Sequence, residues 1–202
     1  SGVGIDLILG SDTNIGSYAF AQARIKSIKL GDNTKVGDYA FNEISTLARV
    51  IMPDAATVTI GAYAFANCYS LEAIDLSKLV GTVGDYAFSG CGKIVFANLE
   101  NVEHIGAYAF ANCYGITKIS IPNVKTIADH AFTKLTDGAM APQFTEIELP
   151  STLTSIGAYA FAYANKLTGI VIPKGITNIS DYAFAACTSL TNVSLPQSVV
   201  EV

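Results

Sequence analysis

Tryptophan is absent from this 202-residue chain, and charged residues, cysteines and histidines are few. Charged residues make up 14% of the chain, with four cysteines and two histidines. No run of Lys and Arg occurs, so the electrostatic footprint of a nucleic-acid-binding protein is missing. The formal net charge of -5 is mild and indicates only solubility.

Long hydrophobic runs are also missing, although half of the residues are hydrophobic and the mean hydropathy is +0.40. No stretch approaches the ~18 unbroken apolar residues that a membrane span needs. The apolar surface must therefore be buried in a regular, spread-out way. The opening SGVGIDLILG has no initiator Met, basic region or long apolar region of a signal peptide. We expect a cytosolic protein or an excised piece of a longer one.

Sequence signatures of catalysis are lacking as well. The chain has no Gly-rich phosphate loop, no HExxH and no CxxC. His104 follows Glu103, and His130 stands apart from both, with no nucleophile motif beside them. We expect no enzyme activity, no cofactor and no metal site.

A repeat is what the chain has instead. The stretch IGAYAFANCY stands at residues 60–69 and again at 105–114, and the motif Tyr-Ala-Phe, once His-Ala-Phe, recurs eight times at intervals of 21 to 29 residues. Its phenylalanines are Phe20, Phe41, Phe65, Phe88, Phe110, Phe132, Phe161 and Phe184. Five residues before each stands an apolar residue: Ile15, Val36, Ile60, Val83, Ile105, Ile127, Ile156 and Ile179. A fixed period in this range is typical of a solenoid.

Each repeat divides into two halves. In I-G-x-Y-A-F-x-x-C the apolar residues fall at i, i+4, i+5 and i+8, which predicts a short helix. In L-x-x-I-x-L-P the last apolar pair has the strand period of two, and proline ends the strand. The sequence therefore predicts an α/β repeat solenoid: a curved right-handed leucine-rich-repeat coil with a parallel β-sheet on the concave face and short helices on the convex face.

One domain is predicted over residues 1–202, with about eight repeats of ~23 residues and a partial repeat at each end. Because neither end shows the polar cap that a solenoid needs, we expect a fragment of a longer array. The interval from Phe132 to the next repeat phenylalanine, Phe161, is six residues longer than the usual repeat. We expect its extra segment, residues 136–143, to form a loop between helix and strand.

The four cysteines share one repeat position, three residues after the phenylalanine. They are Cys68, Cys91, Cys113 and Cys187, and other repeats have Ala23, Ile44, Leu135 and Ala164 there. A position that accepts these residues is a small apolar core slot, which predicts buried free thiols. A disulfide between stacked neighbours such as Cys68 and Cys91 is the alternative.

The tyrosine position, which His130 occupies in one repeat, predicts a structural ladder of stacked rings with solvent-exposed hydroxyls. Stacking of nucleic acid or sugar on these rings is the alternative. Glu146 and Glu148 alternate on one predicted strand, so both point to the same face. This pattern predicts a solvated strand face, and a pair of carboxylates for glycoside hydrolysis or cation binding is the alternative.

The outward residues of the predicted strands vary in charge and size, whereas the core positions do not. Phe96, Ile51 and Val171 are apolar and should be exposed, and an exposed aromatic residue among polar neighbours is a plausible contact point. No stripe of one sign runs along this face, which argues against DNA or heparin. The predicted protein-binding residues are Arg49, Ile51, Asp75, Phe96, Asn98, Lys118, Ser120, Glu146 and Glu148.

The strand half L-x-x-I-x-L resembles the core of leucine-rich repeats, and the half I-G-x-Y-A-F-x-x-C with L-x-x-I-x-I-P resembles their BspA-like class. That family is typical of bacterial surface and secreted proteins, and some members bind fibronectin and fibrinogen. The resemblance implies a non-catalytic protein-binding or adhesion module, extracellular or at the cell surface, monomeric, with host extracellular-matrix proteins as candidate partners and no nucleic acid. A structural spacer and an accessory module attached to an enzyme are the alternatives.

Overall fold

The computed structural model describes residues 4–54, 57–135 and 141–201, and this part of the chain contains fifteen β-strands and no helix. No segment described there could cross a membrane as a helix. The strands are β1 (Ile5–Ile8), β2 (Asn14–Ile15), β3 (Ile25–Lys29), β4 (Lys35–Val36), β5 (Arg49–Ile51), β6 (Val58–Ile60), β7 (Ala73–Asp75), β8 (Leu79–Val83), β9 (Phe96–Asn98), β10 (Val102–Ile105), β11 (Lys118–Ser120), β12 (Thr126–Ile127), β13 (Ser155–Ile156), β14 (Gly169–Val171) and β15 (Asn192–Ser194).

The strands form two parallel sheets that follow the repeat. The front sheet has the order β1-β3-β5-β7-β9-β11, and β14 and β15 pair at the same repeat position. The side sheet has the order β13-β12-β10-β8-β6-β4-β2. Every pairing between described strands is parallel and joins equivalent positions of successive coils. The predicted parallel solenoid is therefore confirmed.

The predicted short helices on the convex face are wrong, because the Tyr-Ala-Phe segments form turns. Tyr63 has a φ of 56°, and each of the other ladder positions also has a positive φ. The N–H groups of Tyr63 and Phe65 donate to the carbonyls of Asp85 and Ala87 in the next coil, each at 2.9 Å. The N–H of Ala66 donates to the Tyr63 carbonyl three residues back, at 3.0 Å. An α-helix would instead bond each N–H to the carbonyl four residues back.

The apolar residue predicted to begin each helix lies mostly in the side sheet. Ile60 ends β6 and pairs with Val36 and Val83 of the adjacent coils. The spacing of apolar residues that predicted a helix is therefore met by a short strand followed by a turn, since both bring Ile and Phe to the same core. Sequence analysis missed this second sheet.

The phenylalanines form one continuous column through the core. Successive rings stack with centroids 5.3 to 5.5 Å apart, from Phe20 to Phe184. The rings from Phe41 to Phe161 are no more than 1% exposed, and the two end rings are half-buried. A column in contact with every coil explains why this position tolerates no other residue type in the chain.

The front sheet is interrupted in the coil of the long interval, between Phe132 and Phe161. Residues 146–149 alternate in burial, with Ile147 and Leu149 buried and Glu146 and Glu148 exposed, but they form no strand. The predicted strand at Glu146 and Glu148 is therefore wrong. Of the predicted loop 136–143, residues 136–140 lie outside the described residues, and 141–143 are irregular.

Candidate protein-binding face

The outward side chains of the front sheet form two rows across the stacked coils. Phe96, Ile51 and Val171 are 39%, 47% and 67% exposed, as predicted from strand alternation. Arg49 and Lys118 are also exposed. The backbone register carries one row from Arg49 through the position of Ala73 to Phe96 and Lys118.

This row places a cation on each side of an exposed aromatic ring. At ~4.8 Å per strand, Arg49 and Lys118 stand about 14 Å apart along the sheet, with Phe96 one strand from Lys118. Asp75 and Asn98 are paired in the second row, where Ser120 follows Asn98. The face thus combines an aromatic anchor with polar groups of both signs, a composition that suits a protein partner more than a polyanion.

Glu146 and Glu148 are separated from this continuous face by the interruption of the sheet. They line a groove of about 1040 Å³ between β11 and β14, together with Lys118 and Lys174. Sequence reasoning missed the groove and the contribution of Lys174, Gly169 and Asn192 to its walls. The long interval after Phe132 indicated that this coil contains extra residues, but it did not predict that the front sheet is interrupted there.

The two histidines lie in different layers. The His104 Nδ1 and Thr126 Oγ1 atoms are 2.8 Å apart on the side sheet. The neighbouring Glu103 carboxylate accepts a hydrogen bond from Lys125, with 2.8 Å between Lys125 Nζ and Glu103 Oε2. This hydrogen bond lowers the pKa of Glu103. His130 stacks between Tyr108 and Tyr159. Within residues 4–54, 57–135 and 141–201, no three His, Cys, Asp or Glu side chains are grouped as metal ligands.

The cysteines are free thiols, as predicted, and three of them are buried. Each thiol donates to the carbonyl of the phenylalanine in the preceding coil, at 3.1 to 3.3 Å. Burial raises the pKa of Cys91, Cys113 and Cys187. The slot is less covered towards the ends of the array, where Ala23 and Cys187 are half-buried, and Leu135 in the coil of the long interval is 39% exposed.

The tyrosine position forms the predicted structural ladder. Its rings, with His130 among them, stack from Tyr18 to Tyr182 with centroids 4.3 to 4.7 Å apart. Both faces of each interior ring are covered, so a base or sugar has no free face to stack on. Loss of water contact between neighbouring rings raises the pKa of Tyr86 to about 12.

Parallel strands at fixed repeat positions, a stacked core column and an open outward face define a leucine-rich-repeat type of solenoid. A family model described as "BspA type Leucine rich repeat region (6 copies)" matches residues 13–137 and 140–202. The chain therefore belongs to the BspA-type leucine-rich repeat family. Repeats of this family form protein-interaction modules.

Solved structures of bacterial proteins resemble the chain at low identity. The pneumococcal vaccine antigen PcpA has a TM-score of 0.52 at 19% identity over 97% of this chain and 62% of that chain. The T. pallidum leucine-rich repeat protein has a TM-score of 0.42 at 20% identity, over 97% of this chain and 72% of that one. A leucine-rich cell surface protein of Faecalibacterium prausnitzii gives 0.32 at 18%, over 96% and 88%. A comparison with curated proteins found no match.

Proposed function

We propose that this chain is a non-catalytic, protein-binding module of a cell-surface or secreted protein, and that it engages a macromolecular partner on its front sheet. The observation that carries the proposal is Phe96, a large aromatic side chain that is 39% exposed in the middle of an otherwise regular sheet. Exposed aromatic anchors flanked by charged groups are typical of binding hot spots. Membership of the BspA-type family supports a surface location.

The proposed contact surface extends over both rows of the front sheet and across to the groove. Phe96 supplies apolar area, Arg49 and Lys118 supply cations, and the remaining members supply polar or smaller apolar contacts. Its residues are Arg49, Ile51, Asp75, Phe96, Asn98, Lys118, Ser120, Glu146 and Glu148.

Surface plasmon resonance against extracellular-matrix proteins, beginning with fibronectin and fibrinogen, tests the proposal. We expect Phe96→Ala and Arg49→Ala each to weaken binding about tenfold or more, since truncation of a hot-spot residue commonly has this effect. Val80→Ala is the matched control, because Val80 is 56% exposed but lies in β8 of the side sheet. It should bind as the parent chain does.

Two outcomes would contradict the assignment. Binding that survives the loss of both Phe96 and Arg49 would remove the front sheet as the binding surface. The absence of binding to any matrix protein would favour a structural spacer, whose continuous stacked core needs no ligand.

A further inference from the structure

We propose that the groove between β11 and β14, which residues 145–149 also line, binds an extended peptide segment of the partner protein, whose backbone pairs with the open edge of β11. This proposal rests on the protein-binding function proposed above and names the form in which the partner enters. Three independent features of the described residues support it: unpaired backbone groups, a partly uncovered core residue and a groove with a charged rim.

The first feature is a break in the backbone ladder. In four of the earlier coils, the core residue just after the strand donates its N–H to the next coil; for example, Leu76 donates to Asn98 and Leu99 to Ser120, both at 2.9 Å. The equivalent residues Met52, Ile121 and Leu149 make no such backbone bond within the described chain, and β11 differs from β5 in being the last strand of its six-stranded sheet. Unpaired N–H and C=O groups along a strand edge are a template for pairing with another chain.

The second feature is Ile119, the central residue of β11. Its side chain is partly exposed, whereas the equivalent residues Ile28, Ile74 and Ala97 of earlier coils are 0 to 2% exposed. The central core residues of β3, β5, β7 and β9 are at most 7% exposed, so the greater exposure of Ile119 indicates that the sheet opens along this edge.

The third feature is the shape of the groove. Ile119 and Ile147 line it from its two sides, and Gly169 replaces the large outward side chains found at this position in β9 and β11. The absence of a side chain at Gly169 leaves a depression over the interrupted sheet. A depression of this kind, apolar below and polar above, suits one apolar anchor side chain of a bound segment.

Charge selects the kind of occupant. Lys118 and Lys174 line the groove together with Glu146 and Glu148. One bound peptide segment can therefore reach both the cations and the anions. A polyanion would meet both carboxylates unfavourably. A peptide can instead place an acidic side chain by the lysines and a basic one by the glutamates, while its own N–H and C=O groups meet the β11 edge.

Hydrogen exchange of the free chain, followed residue by residue with NMR, tests whether this edge is open. We expect the amides of Ile121 and Leu149 to exchange at least about tenfold faster than those of Leu76 and Leu99, which are bonded to the next coil. Equal protection of all four amides would mean that the ladder is closed in solution, and the proposal would be overturned.

Selection from a phage-displayed library of random linear peptides tests whether the groove binds. We expect enriched peptides that carry an apolar residue and that protect the Ile121 amide when bound. Val171→Arg places a long charged side chain in the groove and should weaken peptide binding about tenfold or more. Ile8→Arg is the matched control. Ile8 is also an exposed outward residue of a front strand, but it lies in β1, at the opposite end of the six-stranded sheet from β11.

The outcomes separate this proposal from the function on which it rests. A matrix protein whose binding depends on Phe96 but not on Val171 would leave the function in place and remove the groove. Failure to enrich any peptide, or enriched peptides that bind Val171→Arg normally, would also overturn the groove proposal. Self-association that Val171→Arg abolishes would identify a second copy of the chain as the occupant and overturn the partner assignment.

Discussion

Two columns of aromatic rings run through the same coils, and they contribute differently to the stability of the fold. The phenylalanine rings are buried and stand 5.3 to 5.5 Å apart, whereas the interior tyrosine rings are half-exposed and stand 4.3 to 4.7 Å apart. The tyrosines also have a left-handed backbone, which costs about 1–2 kcal/mol for a side chain with a Cβ. Ring stacking at about 0.5–1.5 kcal/mol per pair offsets that cost. The inner column therefore stabilises the fold, and the outer column makes the turn possible.

The largest expected effect is on the inner column. Phe110→Ala should lower the free energy of unfolding by about 3–5 kcal/mol, since it removes a fully buried ring in the middle of the array. Urea denaturation measures it. Phe184→Ala is the control from the same column, and its half-buried ring should cost clearly less; equal losses would show that burial does not set the contribution of this column.

The outer column is tested by comparing two substitutions at one position. Tyr86→Ala loses ring stacking but keeps a Cβ in the left-handed region, and should cost about 1–3 kcal/mol. Tyr86→Gly loses the same stacking but is free of the backbone strain, so it should be the more stable variant by about 1 kcal/mol.

The order of these two variants also distinguishes turn from helix. In a helix interior, glycine is less stable than alanine by about 1 kcal/mol. Alanine found to be the more stable variant in thermal melts would therefore contradict the turn described here.

Alkaline pH should weaken the outer column without reaching the inner one. The pKa of Tyr86 is raised from 10.0 to about 12 in the folded chain, so the folded state holds this proton more tightly than the unfolded state. Its contribution is constant below pH 10 and is lost as pH rises from 10 to 12. Denaturant midpoints measured across this range should fall, and Tyr86→Phe should reduce the fall. An unchanged slope in that variant would remove Tyr86 as a cause.

The smallest effect concerns an aromatic residue that belongs to neither column. Phe96→Ala should cost less than about 1 kcal/mol, because its ring stands outward on the front sheet. The same urea series measures it beside Phe110→Ala. A loss near that of Phe110 would mean that Phe96 supports the fold, and its case as a binding anchor would fail.

Much of this architecture could be predicted from spacing alone. The constant separation of Ile60 from Phe65, repeated eight times, predicted a stacked core, and strand alternation predicted that Phe96 points outward. The helix was wrong because the i, i+4, i+5, i+8 pattern is also met by a short strand and a turn. Asn67, Gly90 and Asn112 were available signals, since Asn and Gly favour the left-handed backbone that all three adopt.

The site was predicted less completely. Arg49, Asp75 and Lys118 lie outward because alternation in a strand fixes their side. The groove was missed because it depends on how the extra residues after Phe132 redirect the following segment. Spacing shows that residues were added but not that Ile121 and Leu149 lose their partners in the neighbouring coils.

The bonds from Tyr63 to Asp85 and from Phe65 to Ala87 have a mechanical consequence. They run from coil to coil, so a force that pulls along the stack loads the bonds of the outermost coil first. That coil can peel away while the next one stays closed. Each step would release about 22 residues, or roughly 75 Å of extended chain. An array of such coils can lengthen under tension in steps and close again when the force is removed.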